Sequence, residues 1–291
     1  MNKICITLLL MGLALSCWAQ PVSKKGEMYL PQSGDWAIGA DASPFLTYIG
    51  NIFTDAENQS PSAGFLNSDF AIAGKYFKRD DLAYRATFRL GILADSYRSF
   101  RPEFSLDPTN TTVEDTYNRT FTNAFLSLGI EKRKGSTRVQ GFYGVEGLLG
   151  LGTEKHTFDY GNNITPQNTN PDRTEWDILF QDDPREVTTR TEVGGNIIEY
   201  QLGTLFSVGA RAFAGAEIFL FPKWSLGLEF GYGMLFQYRG NATIISEQWT
   251  VPPGGGGTEQ FVTTVEDEGG SASFLLDTDN FGGALFMYFY F

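Results

Sequence analysis

The chain has 291 residues, with 22 Lys and Arg against 34 Asp and Glu, which gives a formal net charge of −12. This acidic balance argues against a nucleic-acid-binding protein, whose contact surface is basic. Both cysteines, Cys5 and Cys17, lie near the N-terminus, so the rest of the chain holds no thiol for disulfides or thiolate chemistry.

Residues 1–19 have the features of a secretory signal peptide. Lys3 supplies the positive start, residues 4–15 form a short apolar core, and cleavage before Gln20 follows a small residue. The apolar core is too short for a membrane-spanning helix. The alternative is a lipoprotein signal in which Cys17 carries the lipid. After removal of residues 1–19 the chain has 21 Lys and Arg against 34 Asp and Glu, so the net charge becomes 21 − 34 = −13.

Alternating apolar and small or polar residues predict strands in the remaining chain. In the run 224–238, Trp224, Leu228 and Phe236 share one face with other large apolar residues. Ser225 and the glycines that follow share the other face, together with one isolated glutamate. Eight such strands are predicted, near 35–49, 65–78, 82–96, 120–132, 138–152, 202–221, 224–238 and 274–291.

The connections between these runs alternate in length. Three short turns are centred on Asp80, Gly135 and Pro222. The long polar stretches at the other ends of the runs are predicted to be loops, at 50–64, 97–119, 153–196 and 239–272. Short turns at one end and long loops at the other predict an eight-stranded antiparallel up-and-down sheet.

The composition of the two faces indicates which one points outward. A water-soluble barrel would turn its apolar face inward and cover its exterior with charged residues. The polar face here holds mostly Gly, Ser, Thr and Ala, which suits a narrow interior. We therefore expect the apolar face to point outward, as in a transmembrane β-barrel.

The end of the chain resembles a known signal. Residues 281–291, FGGALFMYFYF, are similar to the C-terminal assembly signal of bacterial outer-membrane barrels. The run 215–233, GAEIFLFPKWSLGLEFGYG, resembles the penultimate hairpin of small OmpA/OmpX-like, porin-family barrels from Bacteroidetes. The residues that carry the assembly signal in this comparison are Leu285, Met287, Phe289 and Phe291.

This resemblance implies a location and a set of partners. It implies an integral protein of the bacterial outer membrane, with a short periplasmic N-terminal segment at 20–33 and a barrel at 34–291. The implied partners are outer-membrane lipids including lipopolysaccharide, the barrel assembly machinery, and divalent cations at the acidic loops. It implies no cofactor, and the sequence leaves the oligomeric state open.

Charged residues on the inward face are the candidate site. A proton or ion relay is one interpretation, and a salt-bridge network that fills the lumen is the favoured one, because eight strands leave room for little more than side chains. Burying an unpaired charge is costly, so each needs a partner. The candidate residues are Lys75, Arg85, Arg89, Glu146, Arg211, Glu217 and Glu229.

His156, the only histidine, is expected to be a solvated residue of the third loop. No second histidine, strained nucleophile turn or metal-ligand spacing supports a catalytic role for it. The favoured function is a structural or surface-interaction role for the long acidic loops. The alternatives are a narrow diffusion channel and, less favoured, an enzyme that acts on outer-membrane lipid or peptide.

Overall fold

The computed structural model describes residues 22–23, 25–41, 72–104, 111–180, 186–190, 195–251 and 259–291, without the side chains of Asp41, Leu179, Glu186 and 277–284. This part of the chain is all-β and antiparallel, which confirms the predicted fold class at that level. The signal peptide, the first predicted loop and parts of the first two predicted strands lie outside the described residues.

The described residues form thirteen strands. They are β1 (Trp36–Asp41), β2 (Ile72–Arg79), β3 (Leu82–Pro102), β4 (Thr112–Lys134), β5 (Val139–Asp159), β6 (Asp177–Leu179), β7 (Glu186–Thr188), β8 (Asn196–Gln201), β9 (Leu205–Phe221), β10 (Trp224–Arg239), β11 (Ala242–Thr250), β12 (Gln260–Glu268) and β13 (Ser271–Tyr290).

Eight of these strands close into a ring. β1 to β5 pair in succession, β5 pairs with β9, β9 with β10, β10 with β13, and β13 returns to β1. The closing contact pairs Ala37 with Tyr290, near the two ends of the described chain. A closed ring removes the sheet edges that would otherwise leave backbone N–H and C=O groups unpaired.

Short turns lie at one end of the ring, which we call the lower end. Asp80 and Asp81 join β2 to β3, and Pro222 and Lys223 join β9 to β10. Lys223 adopts a left-handed conformation with φ of 64°, which tightens the turn. Gly135, with φ of 128°, serves the same purpose between β4 and β5 and suits that backbone because it lacks a Cβ.

The apolar face of the ring points outward. On β10 every second side chain from Leu228 to Tyr238 is 45–56% exposed, whereas Ser225 and Glu229, on the other face of the strand, are buried. β3 and β5 repeat this pattern over Tyr84–Ile92 and Tyr143–Leu151. The distribution is the reverse of that in a water-soluble sheet.

Much of the chain predicted to be loop is strand, which corrects that prediction. β3 and β4 continue through most of 97–119, and β5 continues to Asp159. β6 and β7 lie within 153–196, β8 begins at Asn196, the last residue of that range, and β11 and β12 form a hairpin within 239–272. The apolar outer face ends where the loops were predicted to begin, but the backbone pairing does not.

The upper strand ends form a second layer with its own core. β8 pairs with the top of β5, β11 with β8, and β12 with β11, so the sheet continues above the ring. We call this layer the cap, which comprises the upper ends of β3, β4 and β5, strands β6 to β8, and the β11–β12 hairpin. Its buried apolar residues are Tyr117, Phe158, Ile178, Phe180, Ile197, Tyr200, Leu202 and Ala242.

The N-terminal segment crosses the lower end of the ring. Inside the ring of strands, Tyr29 is buried among Phe77, Phe219 and Tyr290. The Arg138 guanidinium lies 3.7 Å from the centre of the Tyr29 phenol ring. The backbone N–H of Ser33 donates to the Asp80 carboxylate at 2.7 Å. Among the described residues there is no helix long and apolar enough to span a membrane.

Candidate functional site

A cluster of charged side chains fills the middle of the ring. It is built from β2, β3, β4, β5, β9 and β10, and each member points inward because it lies on the polar face of its strand. Every side chain of the cluster is buried except that of Arg211, which is 11% exposed. We call this set the charge cluster: Lys75, Arg85, Glu131, Arg133, Glu146, Arg211, Glu217 and Glu229.

Glu217 is the centre of the lower half of the cluster. Its carboxylate accepts hydrogen bonds from Arg133, Ser225 and Tyr290, and the Lys75 ammonium lies 3.4 Å away. Lys75 also contacts Glu131 at 2.9 Å. Arg133 Nε lies 3.0 Å from Glu131 without a well-aligned N–H, so this contact is an ion pair rather than a hydrogen bond.

Arg85 is the centre of the upper half. It donates two hydrogen bonds to the Glu229 carboxylate, at 2.6 and 3.3 Å, and this fork geometry is the strong form of the Arg–carboxylate contact. It also lies 3.2 Å from Glu146 and 3.7 Å from Glu131, which joins the two halves. Arg211 bridges Glu146 and Glu229 at 2.7 and 2.6 Å.

Aromatic rings and glycines complete the packing around the cations. Arg85 stacks on Phe213 at 4.1 Å, and Lys75 lies 4.1 Å from the ring centre of Tyr288, which adds cation–π attraction. A Cβ on Gly144 would come within 2.5 Å of the Phe213 ring, so only glycine leaves room for that ring. Glycine on the inward face therefore leaves room for large side chains inside the ring.

The charge of the cluster is balanced. The four cations, Lys75, Arg85, Arg133 and Arg211, face four glutamates, and each carboxylate lies within 4 Å of a cation. Removing one partner from such a set leaves a buried charge without compensation. The arrangement is suited to filling and cross-bracing the ring.

The structure brings together six of the seven residues predicted for this site. Arg89, the seventh, lies on the same face of β3 four residues further along than Arg85 and is half-buried. Glu131 and Arg133 are not among the predicted site residues: Glu131 lies at the end of the predicted strand 120–132, and Arg133 lies beyond it, in the predicted turn around Gly135. Extending the alternation of β4 through Ser127, Gly129 and Glu131 would have placed both residues inward.

The prediction for His156 is wrong. The side chain is fully buried on β5, not solvated in a loop. Its Nδ1 lies 2.8 Å from the Tyr117 hydroxyl and its Nε2 lies 3.3 Å from the Glu154 carboxylate, which also accepts hydrogen bonds from Arg119. Phe180 packs edge-on against the imidazole at 5.1 Å, so the group forms part of the cap core.

Two further polar contacts hold the cap together. The buried Asp115 carboxylate accepts hydrogen bonds from the backbone N–H groups of Gly161 and Thr174, at 2.9 and 2.6 Å. Arg173 lies 2.6 Å from Glu247, which ties the chain above β5 to β11. Within the described ranges, no group of three or more His, Cys, Asp or Glu residues could hold a metal ion.

Three of the residues predicted to form the C-terminal assembly signal, Leu285, Met287 and Phe289, lie on one face of β13, and Phe291 directly follows the strand. Phe289 and Phe291 are exposed on the outer wall, and Leu285 and Met287 are partly exposed. The residues between them point inward, where Tyr288 and Tyr290 contact the charge cluster.

Comparisons with protein-family models, with curated proteins and with solved structures each find no match to this chain.

Proposed function

We propose that this chain is an integral β-barrel of the bacterial outer membrane, with a lumen filled by side chains and a folded cap that serves a structural or surface-interaction role. The observation that carries the proposal is the reversed distribution of residues: the exterior is apolar, and the interior holds charged side chains whose charges balance. Water would not favour such an exterior, whereas a bilayer does.

The dimensions of the outer face support a membrane location. The exposed apolar runs Tyr84–Ile92, Tyr143–Leu151 and Leu228–Tyr238 have the length needed to cross a bilayer, about nine to eleven residues. Trp36, at the lower rim, is exposed and suits the membrane–water interface. The closed ring also satisfies the backbone groups that lipid cannot.

The interior supports a structural role over a channel. An eight-stranded barrel is just wide enough for side chains to fill. The charge cluster occupies the middle of the ring, and Tyr29 with its aromatic neighbours occupies the lower end. An ion would have to displace paired, buried charges to pass, which is costly.

The cap is the surface best placed to meet other molecules. It extends beyond the apolar part of the wall, and its β11–β12 hairpin carries exposed Phe261 and Val265. Glu266 and Asp267 in the same hairpin are also exposed. Lipopolysaccharide phosphates bridged by divalent cations are proposed ligands for these acids, and the barrel assembly machinery is the proposed partner during insertion.

Refolding into lipid tests the membrane assignment. The protein without residues 1–19 should float with liposomes and migrate faster on gels when unheated than when heated. In cells, fractionation should place it in the outer membrane. Recovery as a soluble protein would end the proposal.

Single-channel recording separates the structural role from the channel alternative. Across a planar bilayer, the inserted protein should give no steady current, because paired side chains block the ring. Sustained conductance in the wild type would favour the narrow diffusion channel. The control is a parallel preparation of Gly144→Trp, which should fail to fold because a Cβ at this position already meets the Ile130 carbonyl and the Phe213 ring. Any current from this preparation comes from contaminants of the detergent extract.

A further inference from the structure

A row of unpaired lysines lies on the outside of the ring at its lower end. Lys78 ends β2, and Lys132 and Lys134 end β4, all at outward positions and all exposed. Where the structure describes the chain, no carboxylate lies within ion-pair distance of these three ammonium groups. Three neighbouring ammonium groups without a direct ion-pair partner form a surface suited to an anion, and the nearby Asp81 carboxylate, which pairs with Arg79, acts on Lys132 only at longer range.

Tyrosine hydroxyls lie beside this row. The strand register places Tyr143 opposite Lys132 and Tyr76 opposite Tyr84. The Lys78 ammonium lies 3.3 Å from the Tyr84 hydroxyl. The outer surface of β2 to β5 therefore presents ammonium and phenol donors together, and both can donate to a phosphate oxygen.

The wall directly above the row is apolar. Ile130 lies opposite Tyr84, and Val145 lies opposite Ile130, and both side chains are exposed. Leu128 continues the same face of β4. The surface thus matches an amphiphile with acyl chains along the wall and an anionic headgroup at its lower end.

The opposite side of the lower rim is different. Lys223, at the β9–β10 turn, is paired with Asp35. The outward side chains around it are large and apolar, including Phe221 and Phe289. Positive charge without a counter-charge is therefore concentrated on the β2–β5 side.

We propose that Lys78, Lys132 and Lys134, with Tyr84 and Tyr143, form a binding site for the phosphate of an anionic phospholipid in the leaflet at the short-turn end. The site rests on the proposed membrane location. The negative headgroup complements the lysines, and the acyl chains cover Ile130 and Val145 on the apolar wall. A zwitterionic headgroup should bind these lysines more weakly, because its own positive group offsets the charge of its phosphate.

The test compares lipids bound to three forms of the full chain without residues 1–19. Each is refolded into nanodiscs that contain equal amounts of phosphatidylglycerol and phosphatidylcholine, extracted with mild detergent, and analysed for retained lipid by native mass spectrometry. The first form is the wild type. The second carries Lys78→Gln, Lys132→Gln and Lys134→Gln. The third is the control, with Lys25→Gln, Arg98→Gln and Lys155→Gln, which removes the same charge away from the row, at two exposed positions and at the half-buried Lys155.

The wild type and the control should retain several-fold more phosphatidylglycerol than phosphatidylcholine, and the row variant should lose that preference. No preference in the wild type, an unchanged preference in the row variant, or an equal loss in the control would overturn the site. Inorganic phosphate added during extraction distinguishes the two sources of the anion. Displacement of the lipid by millimolar phosphate would show a site for free phosphate and would overturn the lipid assignment.

Failure of the membrane proposal gives a different result from failure of the site. If the chain does not span membranes, none of the three forms enters nanodiscs of any composition. If only the site is wrong, all three enter and show heat-modifiable migration, but they retain the two lipids in the same ratio. A row variant that fails to fold is replaced by Lys78→Arg, Lys132→Arg and Lys134→Arg, which should keep the preference.

Discussion

At the scale of single residues, the interior is organised by carboxylates that each serve several donors. Glu217 contacts Lys75 and Arg133 as well as the hydroxyls of Ser225 and Tyr290. Such sharing makes the cluster one unit rather than a set of separate pairs. The sequence predicts which residues belong to the cluster but not which of them pair. Alternation shows the face on which a residue lies and not its neighbour across the ring.

Replacing Glu217 with alanine should therefore be costly. The change leaves Lys75 and Arg133 buried with one carboxylate fewer between them, and we expect a loss of about 3–5 kcal/mol in the free energy of unfolding. Urea unfolding in detergent micelles or liposomes measures it. The control is Glu199→Gln, which breaks the partly exposed pair with Lys155 and should cost about 0–1 kcal/mol. Equal small losses would mean that water fills the ring.

A partly buried tyrosine should make the stability of the cap depend on pH in the alkaline range. Burial raises the pKa of Tyr160 to about 12, while its hydroxyl donates to the Ile197 carbonyl at 3.0 Å. The unfolded pKa is about 10, so the folded cap retains a proton that the unfolded chain loses. The stabilisation is fully present below pH 10 and is lost as the pH rises through about 12.

Tyr160→Phe should remove part of this alkaline sensitivity. Between pH 10 and 12 the wild-type cap should lose its near-ultraviolet circular dichroism more steeply than the variant does. Absorbance of tyrosinate should show one fewer late-titrating group in the variant. Identical pH profiles would show that Tyr160 does not contribute.

At the scale of elements, the strands continue beyond their apolar faces. On the outer face of β4, Leu126 and Leu128 give way to Thr120, Asn118 and Thr116, yet the pairing with β5 continues to the Thr116–Asp159 pair. Side chains still alternate between the two faces of the strand here. Because the outer face is polar in this part of the strand, the sequence no longer shows that alternation as a hydrophobic pattern. This is why the eight runs were predictable and the cap was not.

Asp115 shows how one residue holds a long segment of the cap. Replacing it with alanine leaves the backbone N–H groups of Gly161 and Thr174 without their acceptor, and the loss at the buried Thr174 costs about 1–3 kcal/mol. We expect faster hydrogen exchange and proteolysis across 160–180, with exchange in the ring strands unchanged. Asp177→Asn, at an exposed position on β6, is the control and should change neither. Loosening of the whole ring by Asp115→Ala would contradict a local role.

At the scale of the whole molecule, the end of the chain has two faces with different surroundings. Tyr288 and Tyr290 face the charge cluster, whereas Phe289 and Phe291 face outward. The resemblance of these outward residues to an assembly signal was readable from the sequence, because it depends on spacing within one strand. The inward contacts depend on the ring and were not readable.

Phe291→Ala should slow assembly without removing an interior contact. In cells, the heat-modifiable fraction should fall several-fold, while the folded protein that does form should unfold at the wild-type urea concentration. Phe261→Ala, which removes an exposed phenylalanine from the cap, is the control and should assemble normally. A lower unfolding midpoint for Phe291→Ala would instead assign the residue to stability.

The closure between β1 and β13 has a kinetic consequence. Trp36 and Phe291 exchange backbone hydrogen bonds at 3.3 and 2.8 Å, although they lie near opposite ends of the chain. Closing so long a segment costs more chain entropy than forming the hairpins at Asp80, Gly135 and Pro222. Hairpins should therefore form early and the seam last, and this high contact order makes folding slow. Time-resolved quenching of Trp36 fluorescence should lag behind the formation of sheet structure.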